Sequence, residues 1–211
     1  MKKYKVKEIY YTLQGEGAHT GRPAVFCRFT GCNLWSGREE DRDKAICQFC
    51  DTDFIGTDGV AGGRYSATEL ASKVLSLWPD ELPGKPYVVC TGGEPLLQLD
   101  ELLVDAFHQL HLEIGVETNG TILPPAGIDW ICVSPKAGSE LILQKGNELK
   151  LVFPQAAAMP PLYEALDFEH FYLQPMDGLS AKENTKRTVE YCLQHPQWRL
   201  SLQTHKFIGI D

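Results

Sequence analysis

The chain has 211 residues, enough for one domain with a sizeable core and short for two. Hydrophobic residues make up 43% and charged residues 23%, as in an ordinary soluble globular protein, and no apolar run reaches membrane-spanning length. The formal net charge of -8 excludes a sequence-independent grip on nucleic acid, which needs a basic face.

The opening segment, MKKYKVKEIYYTLQGEG, lacks the apolar stretch of a signal peptide, so a cytoplasmic location is expected. Ala24–Phe29 reads as a strand, and the polar, charged stretch Ser36–Lys44 as an exposed loop. Ser66 followed by Glu69 is a capping box that opens a helix to about Trp78, with Leu70, Val74, Leu77 and Trp78 on one face. Further strands are expected at Tyr87–Thr91, Leu112–Glu117, Trp130–Ser134, Glu148–Phe153, His170–Leu173 and Arg199–Gln203. Most are rich in Val, Ile, Phe and Tyr. Between them, one helix runs from about Asp100 to Leu110, on a stripe of Leu103, Phe107 and Leu110, and another from about Lys182 to Gln194. Alternating strands and helices predict an α/β fold with a parallel sheet. Seven strands with so few helices fall short of a complete eight-fold barrel, so an incomplete, open parallel β/α barrel is expected.

Seven cysteines is an odd number, unlike a secreted disulfide framework. Cys90, Cys132 and Cys192 sit in apolar stretches and read as small buried hydrophobes. The other four are closer to chemistry. Cys32 is followed by fourteen residues, Cys47, two residues and Cys50. A Cys-x-x-Cys pair lets two thiolates converge on one centre. Three thiolates on a four-iron cluster leave one iron open to an amine and a carboxylate. The competing reading adds Cys27 to make a four-sulfur zinc site, and spacing alone favours it.

The segment VVCTGGEPLLQ, Val88–Gln98, tips that balance, because a buried strand there ends in glycines that let backbone approach a ligand. With the cysteines, it resembles the radical S-adenosylmethionine superfamily. More of the chain resembles one family within it, 7-carboxy-7-deazaguanine synthase. The matching stretches are Tyr11–Trp35, Cys47–Phe54, Thr91–Gln98, Val116–Thr121, Val133–Lys136, Glu148–Val152, Tyr172–Gly178 and Leu202–Asp211. The superfamily's usual spacing puts three residues between its first two cysteines. The longer gap here marks an insertion, residues 33–46, within a single radical S-adenosylmethionine domain over 1–211.

The resemblance implies a 4Fe–4S cluster on Cys32, Cys47 and Cys50, and magnesium at Thr52. It implies S-adenosylmethionine contacts at Phe49, Cys50, Asp51, Gly93, Ser134, Pro135, Lys136, Gln174, Pro175, Met176 and Asp177, with Glu117 accepting from the ribose hydroxyls. Substrate contacts are implied at Leu13, Gln14, Gly15, Glu16, Arg28, Thr91, His205 and Asp211. The implied substrate is 6-carboxy-5,6,7,8-tetrahydropterin, whose carboxylate suits the planar donor fork of Arg28. The implied reaction is a radical ring contraction with loss of ammonia, giving 7-carboxy-7-deazaguanine for queuosine and other 7-deazapurines. A flavodoxin or ferredoxin as electron donor and a homodimer are implied as well. A glycyl-radical activase and a zinc-stabilised interaction module are the alternatives. The apolar tail Phe207–Ile210 is expected to dock, carrying Asp211 to the pterin.

Overall fold

The computed structural model describes residues 2–79 and 83–210. Its strands are β1 (Tyr4–Leu13), β2 (Pro23–Phe29), β3 (Gly63–Tyr65), β4 (Tyr87–Gly92), β5 (Glu113–Thr118), β6 (Trp130–Val133), β7 (Lys145–Phe153), β8 (Asp167–Pro175) and β9 (Arg199–Leu200). The helices are α1 (Ala67–Leu75), α2 (Glu101–Gln109), α3 (Ala181–Gln194) and α4 (Thr204–Ile208). One open sheet runs β3-β1-β2-β4-β5-β6-β7-β8-β9. From β2 to β9 every neighbouring pair is parallel, whereas β1 is antiparallel to both β2 and β3. Among the described residues no helix is long and apolar enough to cross a membrane.

All seven expected strands are present, and the open barrel is as expected. The parallel sheet needs correction at one edge, where β1 and β3 were not foreseen. In β1 the period-two signal breaks at a register shift between Val6 and Glu8, so the buried side chains run Tyr4, Val6, Ile9. β3 is only three residues long. The capping box is real: Glu69 N donates to Ser66 Oγ at 3.4 Å, and Ser66 N donates to Glu69 Oε2 at 2.7 Å. α1 stops at Leu75, short of Trp78, yet Leu77 and Trp78 still pack against the core. Asp100 caps α2 from outside, accepting from Leu103 N at 3.1 Å.

The two faces of the sheet separate core from site. Val25, Cys27 and Phe29 of β2, Val88 and Cys90 of β4, and Ile114 and Val116 of β5 face α1 and α2 in one apolar cluster. Leu149, Leu151 and Leu173 continue that face into a second cluster with Phe168 and Trp198. Burying each such side chain contributes about 1.5–3 kcal/mol. The alternate positions, Arg28, Thr91, Glu117, Lys150 and Gln174 among them, point the other way and line a cavity. Cys90 is a buried hydrophobe as expected, and Cys192 is half-buried beside the second cluster. Cys132 is buried, but its Sγ lies 3.5 Å from Glu148 Oε1 on the inner face, not in the apolar core.

Candidate active site

The inner face opens into a cavity of about 440 Å³ at the carboxyl ends of the parallel strands, where ligands of such sheets sit. Cys47 and Cys50 line it. Cys32 is not itself a lining residue but stands against Gly93 of the wall: a Cβ on Gly93 would lie 2.3 Å from Gly31 O and 2.8 Å from Cys32 Cβ, so only glycine fits. Burial pushes the Cys32 and Cys47 thiols up, and the Cys50 charge adds to both. Among the described residues no three His, Cys, Asp or Glu side chains already meet in a metal-binding arrangement. The donor chemistry nonetheless fits an iron–sulfur group, because soft sulfurs whose mutual charge opposes ionisation are relieved by a centre that draws off thiolate charge. Cys27 is 0% exposed, in register with Cys90 on the helix-covered face. The four-sulfur zinc set is therefore not assembled.

The inserted residues are not simply an exposed loop. Glu39–Lys44 form an exposed 3-10 turn, but Arg42 turns inward. Its guanidinium lies 4.1 Å over the Trp35 ring and donates to Gln48 O at 2.9 Å and Cys50 O at 3.1 Å. Trp35 is buried edge-on against Phe54. Asn33 ties the start of the insertion to Asn119 and Thr121.

Around the cysteines, Phe49, Asp51, Thr52, Gly93, Glu117, Ser134, Lys136, Gln174, Pro175 and Asp177 all line the cavity. Pro135 and Met176 do not. Pro135 is buried with its carbonyl taken by Gln155, and the Met176 backbone is held by Phe153 and by Asn184 of α3. Burial pulls the Lys136 ammonium down against the pull of Cys47 and Cys50. It donates to Ser134 O at 2.7 Å and Ser134 Oγ at 2.6 Å. Glu94, unassigned from sequence, is fully buried and accepts from Thr118 Oγ1 and Asn119 N, both at 2.8 Å. It thereby locks the end of β4 to the end of β5.

The same cavity is lined by Leu13, Gln14, Gly15, Glu16, Arg28, Thr91 and His205. Arg28 Nε donates to Glu8 at 2.8 Å and Nη2 to Tyr10 Oη at 2.9 Å. A Cβ on Gly15 would meet His205 Nδ1 at 2.1 Å, so the ring rests directly on that glycine. The tail is held by polar contacts rather than the expected apolar docking. Thr204 N and Oγ1 donate to Gly15 O at 2.9 and 2.8 Å, while Phe207 and Ile208 are 75% and 60% exposed. Lys206 of α4 clasps Asp51 at 2.7 Å and Asp177 at 2.5 Å, and Gln203 donates to Glu16 at 2.9 Å. Asp211 lies outside the described residues.

Sequence reasoning also missed Lys150, 3% exposed, whose Nζ bridges Glu16 at 2.8 Å and Glu117 at 2.7 Å. Its neighbour Glu148 accepts from Ala18 N at 2.9 Å, so two residues of one strand face hold the turn after β1. The available signal was a Glu-x-Lys alternation between buried leucines in a central strand.

An incomplete β/α barrel whose strand ends open onto one cavity lined by cysteine thiols and a guanidinium is the fold and site of a radical S-adenosylmethionine enzyme. No family model matches the chain. It is 65% identical over 208 residues to 7-carboxy-7-deazaguanine synthase of Bradyrhizobium diazoefficiens, covering 98% of this chain and 99% of that one. It is 61% identical to the synthase of Caulobacter vibrioides, with the same coverage. The crystal structure of QueE from Escherichia coli aligns with a TM-score of 0.72 at 26% identity, over 96% of this chain and 95% of that one. The chain belongs to the 7-carboxy-7-deazaguanine synthase family.

Proposed function

We propose that this enzyme converts 6-carboxy-5,6,7,8-tetrahydropterin to 7-carboxy-7-deazaguanine and ammonia, in the route to queuosine and other 7-deazapurines. Product and ammonia together hold the atoms of the substrate, so the reaction needs no net oxidant. The observation that carries the reading is one cavity shared by the cysteine loop, Arg28, Gln14–Glu16 and His205, drawn from across the chain. Neither alternative gains support: the relatives are named as synthases, and Cys27 is turned into the core.

In this reading Cys32, Cys47 and Cys50 hold a 4Fe–4S cluster. When bound, the cluster and S-adenosylmethionine supply a 5′-deoxyadenosyl radical that removes hydrogen from C6 of the pterin. Lys136, Ser134, Gly93 and the Gln174–Asp177 turn hold the cofactor, and Glu117 accepts from its ribose hydroxyls. Glu16 and Gln14 accept and donate along the ring edge of the pterin. Arg28 is already oriented by Glu8 and Tyr10 on two of its nitrogens, and it pairs with the pterin carboxylate. The Thr52 hydroxyl reaches the same cavity and would help hold a magnesium ion, whose charge would offset that of the pterin carboxylate. We infer a single-domain cytoplasmic homodimer that takes its electron from a flavodoxin or ferredoxin.

An anaerobic assay of reconstituted enzyme with the tetrahydropterin, S-adenosylmethionine, magnesium and a strong reductant tests this, and 7-carboxy-7-deazaguanine is the expected product. Absence of product from cluster-loaded enzyme would overturn the reading. Thr52→Ala is expected to weaken the rise of turnover with magnesium. An unchanged magnesium titration would remove Thr52 from the site.

A further inference from the structure

We propose that Lys150 is a positioning residue that couples the two halves of the site, holding the pterin-reading Glu16 and the ribose-reading Glu117 side by side through one shared ammonium. The proposal rests on the functional reading above, which assigns those two carboxylates to the two ligands.

The geometry is specific. Glu16 comes from the turn after β1 and Glu117 from β5, yet both reach the same Nζ, at 2.8 and 2.7 Å. The ammonium lies on β7 and is buried, so solvent does little to screen either pair. Each carboxylate spends its second oxygen on an amide: Glu16 on Gln203 at 2.9 Å, Glu117 on Gln14 at 3.0 Å. A carboxylate oxygen accepts more than one hydrogen bond, so lone pairs remain for ligand donors. Both Glu16 and Glu117 line the cavity.

Glu16, drawn partly out of water with a second carboxyl reaching the same point, needs a cation beside it to stay ionised. Lys150 supplies it. The other charged or titratable groups facing this point are Glu148 on the same strand, Cys132 of β6, Lys136 beyond β6 and His205 of α4, with His19 from the turn after β1 and Tyr87 of β4 beside Glu117. Lys136 is engaged by Ser134, and burial pushes the Glu148 carboxyl up, so neither takes over the role. Burial would raise the Glu16 carboxyl, but Lys150 outweighs it and holds Glu16 well below the usual range. Hydrogen bonds from pterin ring N–H groups need the ionised Glu16 that this arrangement maintains, and the same ammonium holds Glu117 in place for the ribose hydroxyls.

The test is binding rather than turnover. Binding of 6-carboxypterin to anaerobic, cluster-loaded enzyme is followed by its fluorescence from about pH 6 to about pH 9, for the wild type, Lys150→Met and Lys150→Arg. Titration of the ligand itself is common to all three, so the ratio of affinities is the readout. Lys150→Met is expected to bind roughly tenfold more weakly near pH 6.5, where Glu16 without its cation keeps a proton, and to recover as pH rises. Lys150→Arg is expected to follow the wild type. Parallel profiles for wild type and Lys150→Met would overturn the proposal. If Lys150→Met does not fold, Lys150→Met with Glu16→Gln removes the stranded charge. A restored cooperative melt supports the coupling role, and a chain still unfolded assigns Lys150 to packing and overturns it. Wild-type enzyme that binds no 6-carboxypterin at any pH would instead overturn the functional reading, and this inference with it.

Discussion

Cys27 and Cys32 are neighbours in the chain and lie on different sides of the sheet, one in the helix-covered core and one at the cavity wall. Cys32→Ala, Cys47→Ala and Cys50→Ala are each expected to abolish the cluster's visible absorbance and the activity, while Cys27→Ala keeps both. Loss of the absorbance in Cys27→Ala would restore the four-sulfur reading. Placement rather than burial separates the thiols: Cys47 is also buried yet lines the cavity, whereas alternation along β2, displayed in the short run AVFCRF, turns Cys27 into the core. Lys150 was less legible. A lone Lys in ELKLV has no partner in its own segment, because Glu16 and Glu117 arrive from distant parts of the chain. Glu94 was hidden similarly: a carboxylate in a Gly-Gly-Glu-Pro turn reads as a turn residue until the end of β5 closes over it.

At the scale of elements, the insertion is a brace for the cysteine loop. Arg42 joins a cation–π contact to two bonds with the backbone of Gln48 and Cys50. Arg42→Ala is expected to lose about 1 kcal/mol of loop order and to release iron to a chelator about fivefold faster than wild type. Equal release rates would leave the insertion without that role. The turn after β1 is tied to β5 by a bidentate pair, Arg22 on Glu113, at 2.8 and 2.7 Å. Hydrogen bonds from Arg22 hold the Glu113 carboxyl below its ordinary value of 4.5. A depressed carboxyl contributes stability above its unfolded pKa, and that stability is lost as pH falls through the folded value. The gap in melting temperature between wild type and Glu113→Gln is therefore expected near pH 6 and should shrink progressively as pH falls below 4.5. A gap that persists undiminished in acid would show that packing, not the ion pair, makes the difference. β1, which carries this turn, escaped sequence reading because its register shift scrambles the alternation that marks a strand.

Over the whole molecule, one twisted sheet places its apolar residues under α1, α2 and α3 and its polar ones around a cavity. In the proposed reading the cofactor and the pterin share that cavity, which suits direct hydrogen transfer. Deuterium placed at C6 of the tetrahydropterin is expected to enter 5′-deoxyadenosine and return to S-adenosylmethionine during turnover. One equivalent of 5′-deoxyadenosine per product, with no label in recovered S-adenosylmethionine, would show that the cofactor is consumed. α4 completes the enclosure through Lys206, Gln203 and His205, which tie the cysteine loop, the Gln174–Asp177 turn and the Gln14–Glu16 turn together.

The sequence by itself determined the chemistry of the donors and the class of fold. Thiol spacing, a glycine-walled strand end, a capping box and period-two runs are local patterns, and each acts within a few residues of chain. Only the tertiary structure decided which charges meet. The Lys150–Glu16–Glu117 bridge, the Lys206 clasp and the Arg42 brace depend on how far the sheet curls and which loop folds over it. The apolar tail shows the same limit: hydrophobicity predicted docking, but α4 is held through its polar side chains and leaves Phe207 and Ile208 in solvent. Electrostatic and hydrogen-bond partners are chosen by distance in space, and a linear chain does not carry that distance until it has folded.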